Sequence, residues 1–444
     1  MAESQLGSSQ SNLRFALRAL QHYNYRLFFS GQSLSLIGTW MTRIATSWLV
    51  YRLTNSAFLL GFIGFAGQIP MFLLGPVAGV WVDRLNRHKV LVVTQVLSMV
   101  QSFWLAALAL SHRITFWDIF WLSIFQGVVN AFDMPARQAF VTQMVDRRED
   151  LPNAIALNSS MVNGARLIGP SLAGIIIAAV GEGWCFFIDG VSYIAVIISL
   201  LMMSLGGQQV RKAQTSVAKE LKEGWAYVSR FSPIRNILLL LGLVSLVGMP
   251  YTVLMPIFAR DVLHGGANTL GFLSAVTGVG ALISAAYLAT RKSVLGLERV
   301  IPTCAIIFGL GLIGFGLSHW LALSLFVLLF TGFGMMQQMS ASNTILQTIV
   351  EEDKRGRVMA FYSMAFQGMA PFGSLLAGWM AARLGAPITV MICGSICITG
   401  AALFTARLPQ LRRSVHPIYV KLGVLPEMAT GIQSASDMQE AMER

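Results

Sequence analysis

The chain has 444 residues, of which 55% are hydrophobic and only 12% charged, with a formal net charge of +12. A soluble domain carries roughly 25% charged residues, and a chain this long folded in water would need two or three such surfaces. A soluble globular protein is therefore excluded, and lipid is the solvent for most of this chain.

A helix needs about 20 apolar residues to cross a bilayer core. Twelve such runs are centred near residues 38, 69, 100, 128, 166, 195, 247, 279, 307, 332, 370 and 396. Pro70, Pro170, Pro250 and Pro371 fall within them, which membrane bundles tolerate because neighbouring helices satisfy the freed backbone groups. The expected fold is an all-α membrane protein of two six-helix repeats: 1–24 an N-terminal segment, 25–206 the first half, 207–234 a linker, 235–407 the second half and 408–444 a tail.

Polar residues on these helices are the candidate lining of a substrate cavity. The first helix offers Gln32, Ser35 and Thr39; the fourth and fifth offer Gln126, Asn130, Asn158 and Asn163; the second half offers Gln337, Gln338, Asn343 and Gln367. Each has a plain alternative as a satisfied hydrogen bond between helices. A wall of amides and Met suits a large, mostly neutral substrate. Between the second and third helices, "GVWVDRLNRHK" packs Asp83, Arg84, Arg87 and Lys89 into seven residues. The plain reading is a patch that orients the chain. The sharper one is a latch, with Asp83 docking on the positive end of the eleventh helix near Gly356 and Arg84 and Arg87 orienting it. In the fifth helix, Gly164, Gly169 and Gly174 recur every five residues, with Pro170 among them. Such spacing admits a neighbouring backbone closely.

Charges inside membrane helices are costly and are functional candidates by default. At 1.5 Å per residue, Arg43 and Asp189 lie at one depth, about 10 Å below the outer surface, and Asp133 and Arg166 lie about 20–25 Å below it. Arg137 is one turn from Asp133. The expectation is an outer pair, Arg43–Asp189, and an inner group, Asp133–Arg137–Arg166, acting as structural ion pairs or as a proton relay.

The longest polar connection, residues 207–234, carries Val217, Leu221, Trp225 and Val228 at helical spacing opposite Lys219, Lys222 and Glu223, the pattern of a helix lying on the membrane surface. The halves echo each other across it. Residues 143–174 slide by 204 without a gap, placing Gly164 on Gly368, Gly169 on Gly373 and "LAG" at 172–174 on "LAG" at 376–378. Two parallel repeats with a site between them is a transporter plan. With the N-terminus inside, 25 of the 32 Lys and Arg fall on inner segments, four on outer loops, and Arg43, Arg137 and Arg166 within helices. That bias places both termini in the cytoplasm and accounts for the net charge without nucleic acid.

"GLGLIG" around Gly309 lies inside an apolar run, so it reads as helix packing and not as a nucleotide fingerprint. The four cysteines and six histidines form no metal or catalytic pattern. Neither an enzyme nor a cofactor is expected.

These motifs carry a resemblance. Over about residues 20–410 the chain resembles the major facilitator superfamily: Gly79, Asp83, Arg84 and Arg87 fall on that family's loop signature, and "GARLIGPSLAG" looks like its antiporter motif, with Ala173 replacing one glycine. "NAFDMPARQAFV" and "LNSSMVNGARLIGP" are similar to the bacterial branch that includes the enterobactin exporter and drug effluxers. Ser123 stands where the antiporter signature of the fourth helix carries an arginine. The resemblance implies a monomeric, proton-coupled exporter of drug-sized or amphiphilic compounds (siderophore, secreted metabolite or drug) in a bacterial inner membrane. An importer or facilitator of sugars or metabolites is the alternative on the same fold.

Overall fold

The computed structural model describes residues 17–145, 147–204, 217–291 and 293–421. Among these residues it contains helices and no strand. The first six long helices are α1 (Tyr23–Thr54), α2 (Ala57–Arg84), α3 (Arg87–Leu110), α4 (Phe116–Phe140), α5 (Leu151–Val180) and α6 (Glu182–Leu201). A short linker helix, α7 (Val217–Arg230), precedes α8 (Ser232–Val262), α9 (Ala267–Thr290), α10 (Leu297–Leu317), α11 (Leu321–Ile349), α12 (352–384) and α13 (Ala386–Ala406). A tail helix, α14 (Leu408–Lys421), ends the described chain. Nine of the long helices are apolar enough over their described length to cross a membrane by composition alone. Of the other three, α1 and α4 are diluted by polar residues such as Gln32 and Arg43, Asp133 and Arg137, and α12 is interrupted at Met369.

Short polar signals punctuate the rods. The Ser56 side chain caps α2 by accepting from the Leu59 amide, and Asn86 caps α3 from the Lys89 amide. Thr115 and Asp118 form a reciprocal capping box on α4. Each satisfies amides that a helix start leaves without partners. Gly181 joins α5 to α6 at φ +94°, and Gly385 joins α12 to α13 at φ +84°. These left-handed single-residue turns favour glycine, and they lie 204 residues apart, the offset of the sequence repeat. Turns of π-helix interrupt α8 at Val244–Gly248 and Phe258–Val262, and α12 at Met364–Gly368. The Ser245 hydroxyl donates to the Phe366 carbonyl and ties two of these turns together.

Within the first six helices, α1 and α3 pack on α6, α2 and α3 on α4, and α1 on α5; within the last six, α11 packs on α9 and α10, and α10 on α13. The two largest crossings between the groups are α2 with α12 and α5 with α9, and α8 also touches α1 and α2. The apolar core follows this plan. One cluster runs through the last six helices and continues into the far ends of α1, α2, α3, α4 and α5 through Leu49, Leu60, Leu105, Ile119 and Ile177. A separate cluster, with Tyr25, Phe28, Leu91 and Phe140, fills the first six helices near the linker.

The linker and tail helices dock on the second half. Val228 is buried, Gly224 lies against the Phe361 ring, and the Arg357 guanidinium meets Glu223 at 3.0 Å. Trp225 stays 64% exposed. The linker helix is therefore packed against α12 as well as presenting an apolar edge, whereas the sequence reading gave it only a membrane surface. The tail helix buries Leu411, Val415 and Tyr419 and pairs Arg412 with Glu298 at 3.0 Å.

Candidate transport pathway

Helix ends divide into the end bearing the linker and the opposite, far end. At the far end the two crossings are closed by glycine pairs. A Cβ on Gly61 would sit 2.7 Å from the Gly378 Cα, and one on Gly174 would sit 3.2 Å from the Gly271 Cα. Only glycine permits backbones this close. Two hydrogen bonds join the same end: the Tyr51 hydroxyl donates to the Asp261 carboxylate, and Arg260 donates to Asn55 Oδ1 at 2.7 Å. Toward the linker the same helices separate. A Cβ on Gly75, Gly79, Gly164 or Gly356 would meet nothing within 4 Å. The molecule is closed at the far end and open between its halves toward the linker.

The fifth-helix glycines thus do three different things. Gly174 forms the crossing to α9; Gly169 seats α5 on α1, where a Cβ would lie 2.5 Å from the Trp40 Cβ; Gly164 faces open space. Pro170 stays within a continuous α5, and its carbonyl lies against Gly271. The repeat partners behave alike: Gly373 seats α12 on α8 against Leu246 and Pro250, and Gly378 forms the other crossing. Ser123 lies against Gly67 and Gly127 against the Gly67 carbonyl, so α2 and α4 pack tightly where the antiporter signature would place an arginine.

The expected ion pairs form only in part. Asp133 is paired with Arg137 and also accepts from Thr94 Oγ1 and Gln95 Nε2, each at 2.8 Å. Arg166 does not join this group. Arg43 does not reach Asp189 either. Both guanidiniums lie over the Trp40 ring, Arg43 at 4.9 Å and Arg166 at 5.7 Å from its centroid. Thr42, one residue earlier on α1, reaches the aspartate instead. Asp189 is 1% exposed. One carboxyl oxygen accepts from Thr42 Oγ1 at 2.8 Å and Ser102 Oγ at 2.9 Å; among the described residues the other has no hydrogen-bond partner, and no cation is within ion-pair distance. Bringing a carboxylate into such a place without a cation is costly.

The eleven cavity candidates separate by burial. Gln32, Ser35, Gln337 and Gln338 are buried within their own halves, Gln337 accepting from Ser284 at 2.8 Å, so they do not line an accessible wall. Thr39 and Asn130 are exposed. Gln126, Asn158, Asn163, Asn343 and Gln367 are partly exposed; Gln126 donates to Ser98 and to Asn130, and Asn163 to the Ser159 carbonyl. In the loop signature Arg84 is exposed, Arg87 is partly exposed and the Asp83 side chain lies outside the described residues. A Cβ on Gly79 or on Gly356 would have no neighbouring atom within 4 Å. Sequence reasoning missed Trp40, Thr42, Tyr51, Ser102 and Asp261, because none belongs to a charged motif. Their signal is only a polar or aromatic residue at the right rotation of a long apolar helix.

Comparison with known proteins agrees with this geometry. The staphyloferrin A transporter of Staphylococcus aureus is 25% identical over 87% of this chain and 97% of its own. The multidrug efflux pump Tap of Mycolicibacterium fortuitum is 25% identical over 86% of this chain and 95% of its own. Among solved structures, a bacterial homologue of the human lysosomal transporter Spinster superposes with a TM-score of 0.64 at 14% identity, covering 88% of this chain and 98% of that one. Residues 15–419 match the family described as transmembrane secretion effectors. With twelve helices in two repeats, closed at one end and open at the other, the chain is a multi-pass membrane transporter working by alternating access, and it belongs to the transmembrane secretion effector family of the major facilitator superfamily.

Proposed function

We propose that this transporter exports drug-sized or amphiphilic compounds in exchange for protons, as a monomer, with the linker end in the cytoplasm of a bacterial inner membrane. The observation that carries the coupling is Asp189: a buried carboxyl held by two hydroxyls from α1 and α3, with one oxygen free of partners and no cation beside it. A proton taken up there changes the hydrogen bonding between α6 and α1, and α1 also carries the far-end bond from Tyr51 to Asp261. Protonation state and closure therefore meet on one helix. The relative named as a multidrug efflux pump supports outward transport, and the excess of Lys and Arg on the linker side supports the orientation.

Direction is tested in everted vesicles, whose lumen corresponds to the cell exterior. Radiolabelled erythromycin and staphyloferrin A should each be tried. Accumulation of either on acidifying the lumen, lost with a protonophore, is the expected result. Accumulation only in right-side-out vesicles would make the protein an importer.

A further inference from the structure

We propose that Arg43 and Arg166, held on Trp40, form an anion-binding site in the cavity between the halves and that the exported compound carries a carboxylate. This deepens the transport reading above and rests on it. Arg43 and Thr39, one turn apart on one face of α1, are both exposed, as residues on a cavity wall are. Arg166 faces the second half: its backbone lies against Gly278 of α9, and Tyr251 of α8 is close enough to interact with it electrostatically. Stacking on an aromatic ring holds a guanidinium plane while leaving its N–H edge free for a planar anion.

The charges at this depth do not balance. The like charge of Arg166 is the charged group acting on Arg43, and among the described residues neither arginine has an acidic partner. Of the buried carboxyls in the first half, Asp133 is taken by Arg137, Thr94 and Gln95, Asp189 by Thr42 and Ser102, and Glu182, at the far end, by Arg52. The second half carries no acidic residue within its helices at mid-depth: Asp261 lies at the far end, and Glu298, Glu351, Glu352 and Asp353 lie at the linker end. Two guanidiniums held together without an acid are repelled from each other and lose hydration. A carboxylate brought in by the cargo relieves both costs, and two forks give it paired N–H···O bonds. An otherwise neutral, amide-bearing wall thereby acquires one charged point that orients the cargo.

The test uses thermal unfolding of the purified full-length protein with a thiol-reactive dye, which is quiet on the folded protein because all four cysteines are buried. Citrate is the probe, with sodium chloride and sodium phosphate at matched ionic strength. Citrate should raise the unfolding midpoint of the wild type above both salts. Arg43→Gln and Arg166→Gln should each need at least about tenfold more citrate for the same shift. Should a Gln variant fail to fold, Arg43→Lys and Arg166→Lys keep the charge and still weaken the response by losing the fork. No citrate-specific shift in the wild type, or an equal shift in wild type and variants, overturns the proposal; an equal response to phosphate would also overturn the assignment to a carboxylate. A lost citrate response with intact export of other compounds removes this inference alone. Absent export with an intact citrate response removes the transport reading instead.

Discussion

Tyr51 and Asp261 come from helix ends 210 residues apart, and their hydrogen bond closes the far end of the molecule. A bond to a charged acceptor contributes about 1.5–3 kcal/mol, so Tyr51→Phe should shift the equilibrium toward far-end opening by about tenfold or more. Thr39, exposed and one turn before Arg43 on the same face of α1, reports this when changed to Cys, since the native cysteines are buried. Labelling of Thr39→Cys by a membrane-impermeant thiol reagent from the far side should rise with Tyr51→Phe; no rise would mean that the bond does not hold the gate. The same scale shows what the sequence could not say. The rise per residue put Arg43 and Asp189 at one depth, but rotation about the axis decides contact, and successive residues point about 100° apart. Thr42 takes the direction of Asp189, and Arg43 turns to the Trp40 ring. Polar residues are spread around α1 on every side, so they give no stripe from which that rotation can be read.

Among the elements, the glycine-bearing helices were the most legible, because small residues at close spacing announce a tight crossing before any partner is known. Which glycine meets which helix was not legible, since Gly164 lies within the same motif and touches nothing. Gly174→Leu should therefore be selective: its side chain would start 2.9 Å from the Ala267 carbonyl, far-end closure would fail, and transport would stop in correctly inserted protein. Gly164→Leu should be tolerated by comparison, as measured by counterflow in proteoliposomes. The tail divides similarly. Leu411→Ala removes a buried contact under the tail helix, and core truncations of this kind cost about 2–5 kcal/mol, so the unfolding midpoint should fall. Removing 425–444, polar and without apolar periodicity, should leave it unchanged. The tail helix escaped the sequence reading because Leu411, Val415 and Tyr419 form a short stripe among basic residues, with Glu298 far away in sequence.

At the scale of the whole molecule, the repeat was readable because its offset of 204 needs no gap, and the structure extends it to the turns at Gly181 and Gly385 and to the paired seats at Gly169 and Gly373. The conformational state was not readable, because one sequence encodes every state of the cycle, and the state seen here is closed at the far end. Alternating access becomes uphill export only if proton movement is tied to that closure, and Asp189 is the group assigned to the task. The direct measurement is Asp189→Asn in proteoliposomes, a variant that keeps the side chain's shape and one oxygen to accept from Thr42 and Ser102 while removing its titratable group. Uphill export driven by a proton gradient should be abolished while downhill exchange of the same compound continues at close to the wild-type rate. Unchanged uphill export by this variant would contradict the account.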